Sequence, residues 1–330
     1  MRAMVLAAGL GTRLGALSSE LPKPLLPVCD VPILRYGLQL LSAHGFNEVA
    51  INLHHHAELI VSELSRDNPV SVTWSREERI LGTGGGLKRM ADWLTDGNRA
   101  PFLAMNGKLI VDVDLQALVS KHVESGAVAT MVVRETPDPE RWGAIDLDES
   151  GRVVRILGSG DGRVARRTMF CGVHVLTPAL LSRLPEGESC VIRQGYIPAL
   201  LSNEHINSFL YTGYFQEHST PERYLAGNFA ILDGSARLSH PPALPTGIAP
   251  SAIIGSGARL NTPLLISANA RIGPNAQIGP YVVIGANSEV APGARLSNAV
   301  VWRNSRVEGE WTNAIITPRG ALRASDKEHP

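Results

Sequence analysis

The sequence predicts an α/β fold: a three-layer domain on a mostly parallel sheet, followed by a parallel β-helix. Three observations predict it. Residues 1–232 alternate short apolar runs with amphipathic helical runs, the pattern of strands and crossover helices. From Ile248 to Leu296 an aliphatic residue recurs at every sixth position, a period that belongs to stacked coils. Between the two, residues 233–247 are rich in Gly, Ser and Pro (Pro241, Pro242, Pro245) and read as a linker.

The elements follow in order. Met4–Ala8 is an apolar first strand that breaks into Gly9-Leu10-Gly11-Thr12-Arg13-Leu14. A helix is predicted over Leu34–His44, then strands at Val49–Leu53, Phe102–Met105 and Ala127–Val133. Ligands on such sheets bind at the carboxyl ends of the strands, where Gly9–Arg13, Lys108 and the His54 region would lie. Asp114 is predicted to cap the helix that starts at Leu115. His54, His55 and His56 cannot all face one metal ion, because alternate side chains of a strand point to opposite faces. In the repeat, Ile248, Ile254, Leu260, Ile266, Ile272, Ile278, Ile284, Val290 and Leu296 would point into a narrow prism. Small residues (Ala252, Ala258, Ala270, Ala276, Ser288, Ala294) sit four places after these. Val300, Val301 and Trp302 read either as an apolar contact patch or as an end cap, and the polar stretch from Thr317 as a frayed tail.

Composition excludes several classes. Lys+Arg and Asp+Glu both number 31 in 330 residues, which argues against a general nucleic-acid surface. The three cysteines (Cys29, Cys171, Cys190) form no CxxC pair, so neither a disulfide framework nor a cysteine zinc site is expected. No apolar run approaches the ~20 residues of a membrane span, and the short apolar N-terminus reads as a core strand rather than a signal peptide. A cytoplasmic protein is expected, with no nucleic-acid or membrane partner.

The turn after the first strand is suited to a triphosphate. Glycines let backbone N–H groups approach an anion, and Arg13 and Lys23 (in Pro22-Lys23-Pro24) add fixed positive charge. It is neither common phosphate loop: G-x-x-x-x-G-K-[ST] is missing, and Leu14 replaces the third glycine of G-x-G-x-x-G. Gly82-Thr83-Gly84-Gly85-Gly86-Leu87-Lys88 is a second glycine-rich turn opening a helix, placed to cradle a base or phosphate.

These residues, with Pro22–Val28, Asn106-Gly107, Trp142–Ile145, Gly172–Leu176 and Thr220–Tyr224, resemble the sugar-1-phosphate nucleotidyltransferases, most closely the mannose-1-phosphate guanylyltransferase group. The resemblance implies a Rossmann-like three-layer nucleotidyltransferase domain (1–232), a linker (233–247), a left-handed β-helix of three-sided, 18-residue coils (248–316) and the tail 317–330. It implies transfer of a nucleotidyl group from an NTP, GTP favoured, to a sugar-1-phosphate, mannose-1-phosphate favoured. It assigns Arg13 to the pyrophosphate, Lys23 to the α-phosphate, and Leu6, Ala8, Gly9, Gly11, Thr12, Gly82, Thr83, Gly85 and Asn106 to the nucleotide. Gly143, Cys171 and Gly172 would face the sugar phosphate. Mg²⁺ is the cofactor it implies, and a homo-oligomer, through the β-helix, the assembly. Some β-helices of this kind are acyltransferases with a histidine base, but residues 248–316 contain no histidine.

The departures from the family pattern fall on the metal and acceptor side. An Asn-Gly-Asp with a metal-binding aspartate reads Asn106-Gly107-Lys108, and the second metal aspartate is replaced by Glu217. The lysine expected after Val153–Leu157 gives way to Gly158-Ser159-Gly160, and a Ser-Asp pair near 190 reads Ser189-Cys190. An ammonium in place of a carboxylate changes local charge by two units, and one unit charge at ~4 Å is worth ~4 kcal/mol at an effective dielectric near 20. Two readings follow. Lys108 acts as a fixed cation on the phosphates in place of the metal, giving weak or no turnover, as in a catalytically impaired, nucleotide- or nucleotide-sugar-binding regulatory homologue; or Asp112, Asp114 or Glu217 recruits a metal in a shifted position.

Overall fold

A computed structural model describes residues 1–65, 67–243 and 246–324. Part of the predicted linker and the end of the predicted tail lie outside these. Chain contacts divide the protein into two compact units, Met1–Leu10 with Gly37–Phe215 and Gly11–Tyr36 with Gln216–Pro330. The second unit thus takes in both the coil and the segments 11–36 and 216–232, which the sequence reading groups with the first domain.

The first unit is a nine-stranded sheet. Its strands are β1 (Ala3–Leu6), β2 (Glu48–Leu53), β3 (Ser71–Arg76), β4 (Phe102–Asn106), β5 (Ala129–Glu135), β6 (Ala144–Leu147), β7 (Val153–Ile156), β8 (Arg166–Leu176) and β9 (Ile206–Leu210). The order is β7-β6-β8-β4-β1-β2-β3, with β5 on β8 and β9 on β5. Strands β4, β1, β2 and β3 run parallel, and β8 joins β4 antiparallel. Ala3, Met4 and Val5 have no exposure, which is why β1 reads as a continuous apolar run: helices or loops cover both faces of a parallel sheet. Leu6 pairs in register with Asn52 and Asn106, so the loops leaving β1, β2 and β4 emerge at one edge.

Helices follow the predicted pattern. Helix α1 (Ile33–Ala43) buries Ile33, Leu34, Leu38 and Leu41 at helical spacing. Helices α2 (Ala57–Leu64) and α3 (Gly82–Arg89) follow, then α4 (Leu115–Ser125). Asp114 caps α4 as predicted, its carboxylate accepting the Ala117 N–H at 2.9 Å. No helix among the described residues is long and apolar enough to cross a membrane.

In the second unit the short strands pair in parallel with partners 18 residues on: Ile248 with Ile266, Ile254 with Ile272, Leu260 with Ile278. These registers are consistent with the predicted β-helix. The spacing then shortens, with Val301 on Ile284 and Val307 on Val290. Ile266, Ile272, Ile278, Ile284, Val290 and Leu296 form the core, with the predicted small residues Ala270, Ala276 and Ala294 beside them. Ile248 and Ile254 are 46% and 38% exposed: they occupy the first coil, which has no coil beneath it. One corner is an asparagine ladder, where Asn269, Asn287 and Asn304 take left-handed φ values of 58°, 57° and 59°. Asn269 donates to Asn287 at 3.2 Å and Asn287 to Asn304 at 3.4 Å. Of the two readings of Val300, Val301 and Trp302, burial removes the surface patch and leaves the cap. One expectation is corrected: Gly320–Arg323 is a strand paired with Glu310–Thr317, so the chain does not fray at Thr317.

Candidate active site

In the first unit, Leu6, Ala8, Gly9 and Asn106 of the predicted nucleotide residues lie at the carboxyl edge of β1 and β4. Ala7 and Ala8 are buried while Gly9 and Leu10 are exposed. The Gly107 N–H donates to the Leu6 carbonyl at 2.9 Å, which sets the Asn106-Gly107-Lys108 turn beside the start of the glycine loop. A Cβ on Gly9 would meet no protein atom within 4 Å, so nothing in the chain's own packing calls for glycine there.

The second glycine turn is used differently. Gly82–Gly86 are the first residues of α3, and the segment 187–191 lies against them. A Cβ on Gly82 would sit 2.4 Å from the Ser189 carbonyl oxygen and one on Gly85 2.1 Å from that of Gly187. The Gly84 N–H donates to the Ser189 carbonyl at 2.8 Å, and Thr83 Oγ1 accepts the Val191 N–H at 3.0 Å. Close backbone packing thus accounts for the glycines at 82 and 85 and engages the Thr83 hydroxyl.

Sequence reasoning missed the link between the two turns. Asn52 is 2% and Glu77 5% exposed. Asn52 Oδ1 accepts the Ala7 N–H at 2.7 Å, and its Nδ2 donates to Glu77 Oε1 at 2.8 Å. Glu77 Oε2 then accepts the Leu81 N–H at 2.9 Å, ahead of α3. The available signal was Asn52 itself, a polar residue inside the apolar run of β2.

The residues expected at the sugar phosphate are tightly packed. Cys171 is 1% exposed, and burial pushes its thiol up to about 12. Gly172 lies where the β8–β5 register shifts, with φ 73°. A Cβ there would be 2.6 Å from Asn106 Nδ2. Gly143 ends a short helix with φ 85°, and its Cβ would meet Leu157.

In the second unit, Gly11 (φ 76°) begins a turn with exposed Thr12 and Arg13. Lys23 extends back over Gly11: a Cβ there would be 3.2 Å from Lys23 Cγ. Arg13 Nη2 lies 3.6 Å from Glu217 Oε1, and Ser219 Oγ donates to the same oxygen.

Nucleotidyl transfer of the implied kind generally works with a divalent ion, which carboxylates hold. The residues present do not fit one. Lys108 stands at one carboxylate position. Glu217, at the other, already receives Arg13 and Ser219. Asp112, whose backbone N–H donates to the Tyr211 hydroxyl at 3.1 Å, belongs to no cluster: among the described residues no three His, Cys, Asp or Glu side chains are grouped to hold an ion. Of the histidines at 54–56, His54 has its Nδ1 2.9 Å from the Glu77 carbonyl.

A glycine loop at the carboxyl edge of a mostly parallel sheet, followed by a segment with two cations, places the chain among α/β proteins whose ligands bind at that edge of the sheet. The nucleotidyl transferase family model matches residues 2–185, and the model described as the GMPPB C-terminal domain matches residues 260–318. The chain therefore belongs to the nucleotidyl transferase family, with mannose-1-phosphate guanylyltransferases among its relatives. It is 31% identical over 278 residues to a probable mannose-1-phosphate guanylyltransferase 2 of Arabidopsis thaliana, covering 82% of this chain and 76% of that protein. It is 30% identical over 249 residues to the mannose-1-phosphate guanyltransferase of Candida albicans, covering 74% and 68%. Among solved structures it is similar to HddC from Yersinia pseudotuberculosis, at 24% identity and a TM-score of 0.57, over 69% of this chain and 97% of that one. That likeness supports the fold.

Proposed function

We propose that the chain transfers a guanylyl group from GTP to mannose-1-phosphate. An oxygen of the sugar phosphate attacks the α-phosphorus of GTP, the bond to the bridging β-phosphate oxygen breaks, and pyrophosphate leaves. The reaction asks mainly for positioning and for cations on developing negative charge. Arg13 and Lys23 are the cations the resemblance assigns to it. The names of the relatives favour GTP and mannose-1-phosphate. The observation that carries the nucleotide reading is Gly9: exposed, at the carboxyl end of β1, with open space where a side chain would stand.

Lys108 favours a second reading, a regulatory homologue that binds the nucleotide or nucleotide sugar without turnover. One experiment separates the two. Pyrophosphate release is measured with GTP, ATP or UTP and a panel of sugar-1-phosphates, on wild type and Lys108→Asp side by side, with GTP binding followed by calorimetry. Release by wild type at ordinary enzyme rates of ~1–10³ s⁻¹ with GTP and mannose-1-phosphate supports transfer. Binding without release, with activity appearing in Lys108→Asp, supports the regulatory reading. Neither binding nor release would sink both.

A further inference from the structure

Segment 11–36, which carries Arg13 and Lys23, is tied to the rest of the second unit on both sides of Lys23. On one side, Thr317 Oγ1 donates to Glu20 Oε1 at 2.6 Å. On the other, the hairpin of Pro27–Val28 and Val31–Pro32 is held at three points. Tyr224 lies on α5 (Pro221–Leu232) and is fully buried. Its hydroxyl donates to the Pro27 carbonyl and accepts from Trp302 Nε1 at 3.0 Å. Asn228, on the same helix, accepts the Cys29 N–H at 2.8 Å. Asp30 accepts from Arg303 Nε at 2.9 Å and from the Ala286 N–H at 3.2 Å, and Arg303 also donates to the Asp30 carbonyl.

The hairpin tip explains why so many bonds converge. Cys29 and Asp30 both hold left-handed φ values, 46° and 61°. A two-residue hairpin loop of this kind requires positive φ at both central residues, and with no glycine at either position outside bonds help to hold it. Here those bonds come from α5 and the coil.

We infer that Arg303 and Trp302, residues of the coil, are positioning residues for the phosphate cations: through Asp30 and Tyr224 they fix the hairpin, and with it the place of Lys23 over Gly11. The coil then does more than cap or assemble the protein; it sets the geometry of nucleotide binding. This rests on the reading of Lys23 as a phosphate cation. A misplacement of about 1 Å in a positioned group can cost on the order of 10²-fold.

The test is a double-mutant cycle on GTP affinity, read by calorimetry on the full chain, which does not depend on turnover. Arg303→Gln should weaken GTP about 10-fold in the wild-type background and leave the affinity of Lys23→Ala nearly unchanged, because coupled residues are not additive. Arg303→Lys should recover part of the loss. Thr317→Val, which breaks a different tie, should shift affinity in the same direction and keeps the test open if an Arg303 variant folds poorly. Equal weakening in both backgrounds, or none from Arg303→Gln and Thr317→Val while Lys23→Ala weakens GTP, overturns the inference alone. No effect of Lys23→Ala on GTP affinity overturns the reading beneath it and the inference with it.

Discussion

The two glycine-rich turns share a composition and differ in what fills the space a side chain would take. A Cβ on Gly9 would have no protein atom within 4 Å, and one on Gly11 would meet Ser18 Cβ at 3.1 Å and Lys23 Cγ at 3.2 Å. Around Gly82, Gly84, Gly85 and Gly86 there is always one within 3 Å: Ser189, Gly187 or Asn52. Glycine in the second turn lets another stretch of this chain come close. In the first turn the chain packs side chains over Gly11 and leaves the space at Gly9 unfilled. A glycine-rich turn is therefore not by itself a ligand loop; the neighbour that occupies its missing side chain decides which it is.

The sharpest way to break this comparison is Gly85→Ala. The new methyl would stand 2.1 Å from a backbone carbonyl oxygen, which cannot swing aside as a side chain can. Overpacking of this kind costs about 1–3 kcal/mol and more where backbone must shift, so a loss of about 3 kcal/mol is expected in urea unfolding. A loss under about 1 kcal/mol would show that segment 187–191 yields, and the contrast between the turns would fail.

The same contrast explains what was legible in the sequence. The apolar runs of β1, β2 and β4, the Asp114 cap and the sixfold period are local signals, and each is found where the sequence puts it. The seat of the second turn is not local: Ser189 lies more than a hundred positions from Gly82, and no spacing rule connects them. The Asn52–Glu77 link is likewise a meeting of two strands' ends. The register shift of β8 between Phe170 and His174 is a bulge, which has no period to reveal it. The closing of the coil against Tyr224 was hidden because Trp302 reads equally well as a cap or a patch.

Acid gives a second, smaller test, directed at the seat of the second turn. His174 is 2% exposed and stacks on Tyr196, with Nδ1 2.8 Å from its hydroxyl. Tyr196 ends the helical segment Val191–Tyr196 whose first N–H is held by Thr83. Burial lowers the His174 pKa from 6.5 to about 3. The folded state therefore resists a proton that the unfolded chain accepts. Stability is full above pH ~6.5 and falls as pH drops from there toward 3. At 1.36 kcal/mol per pH unit, the loss at pH 5 is about 2 kcal/mol. His174→Gln, which can keep a hydrogen bond to Tyr196, should start less stable and lose that much less between pH 7 and 5. Parallel pH profiles for the two proteins would remove His174 as the cause.

The smallest effect on stability should come from Gly9→Ala, and its smallness is what makes it informative. Gly9 has no positive φ, so alanine fits the backbone, and the methyl meets no protein atom. Fewer conformations in the unfolded chain favour alanine slightly, so unfolding free energy should stay within about 0.5 kcal/mol or rise by that much. If the open space is where phosphates approach the backbone, GTP affinity should nevertheless fall about 10-fold, a difference of ~1.4 kcal/mol in binding. Calorimetry and urea unfolding on the same preparation read both quantities. A stable protein with weakened binding would place glycine at position 9 for the ligand's sake. A stable protein with unchanged affinity would make the space at Gly9 ordinary solvent, and the case for a phosphate site would then have to stand on Arg13 and Lys23 without the loop.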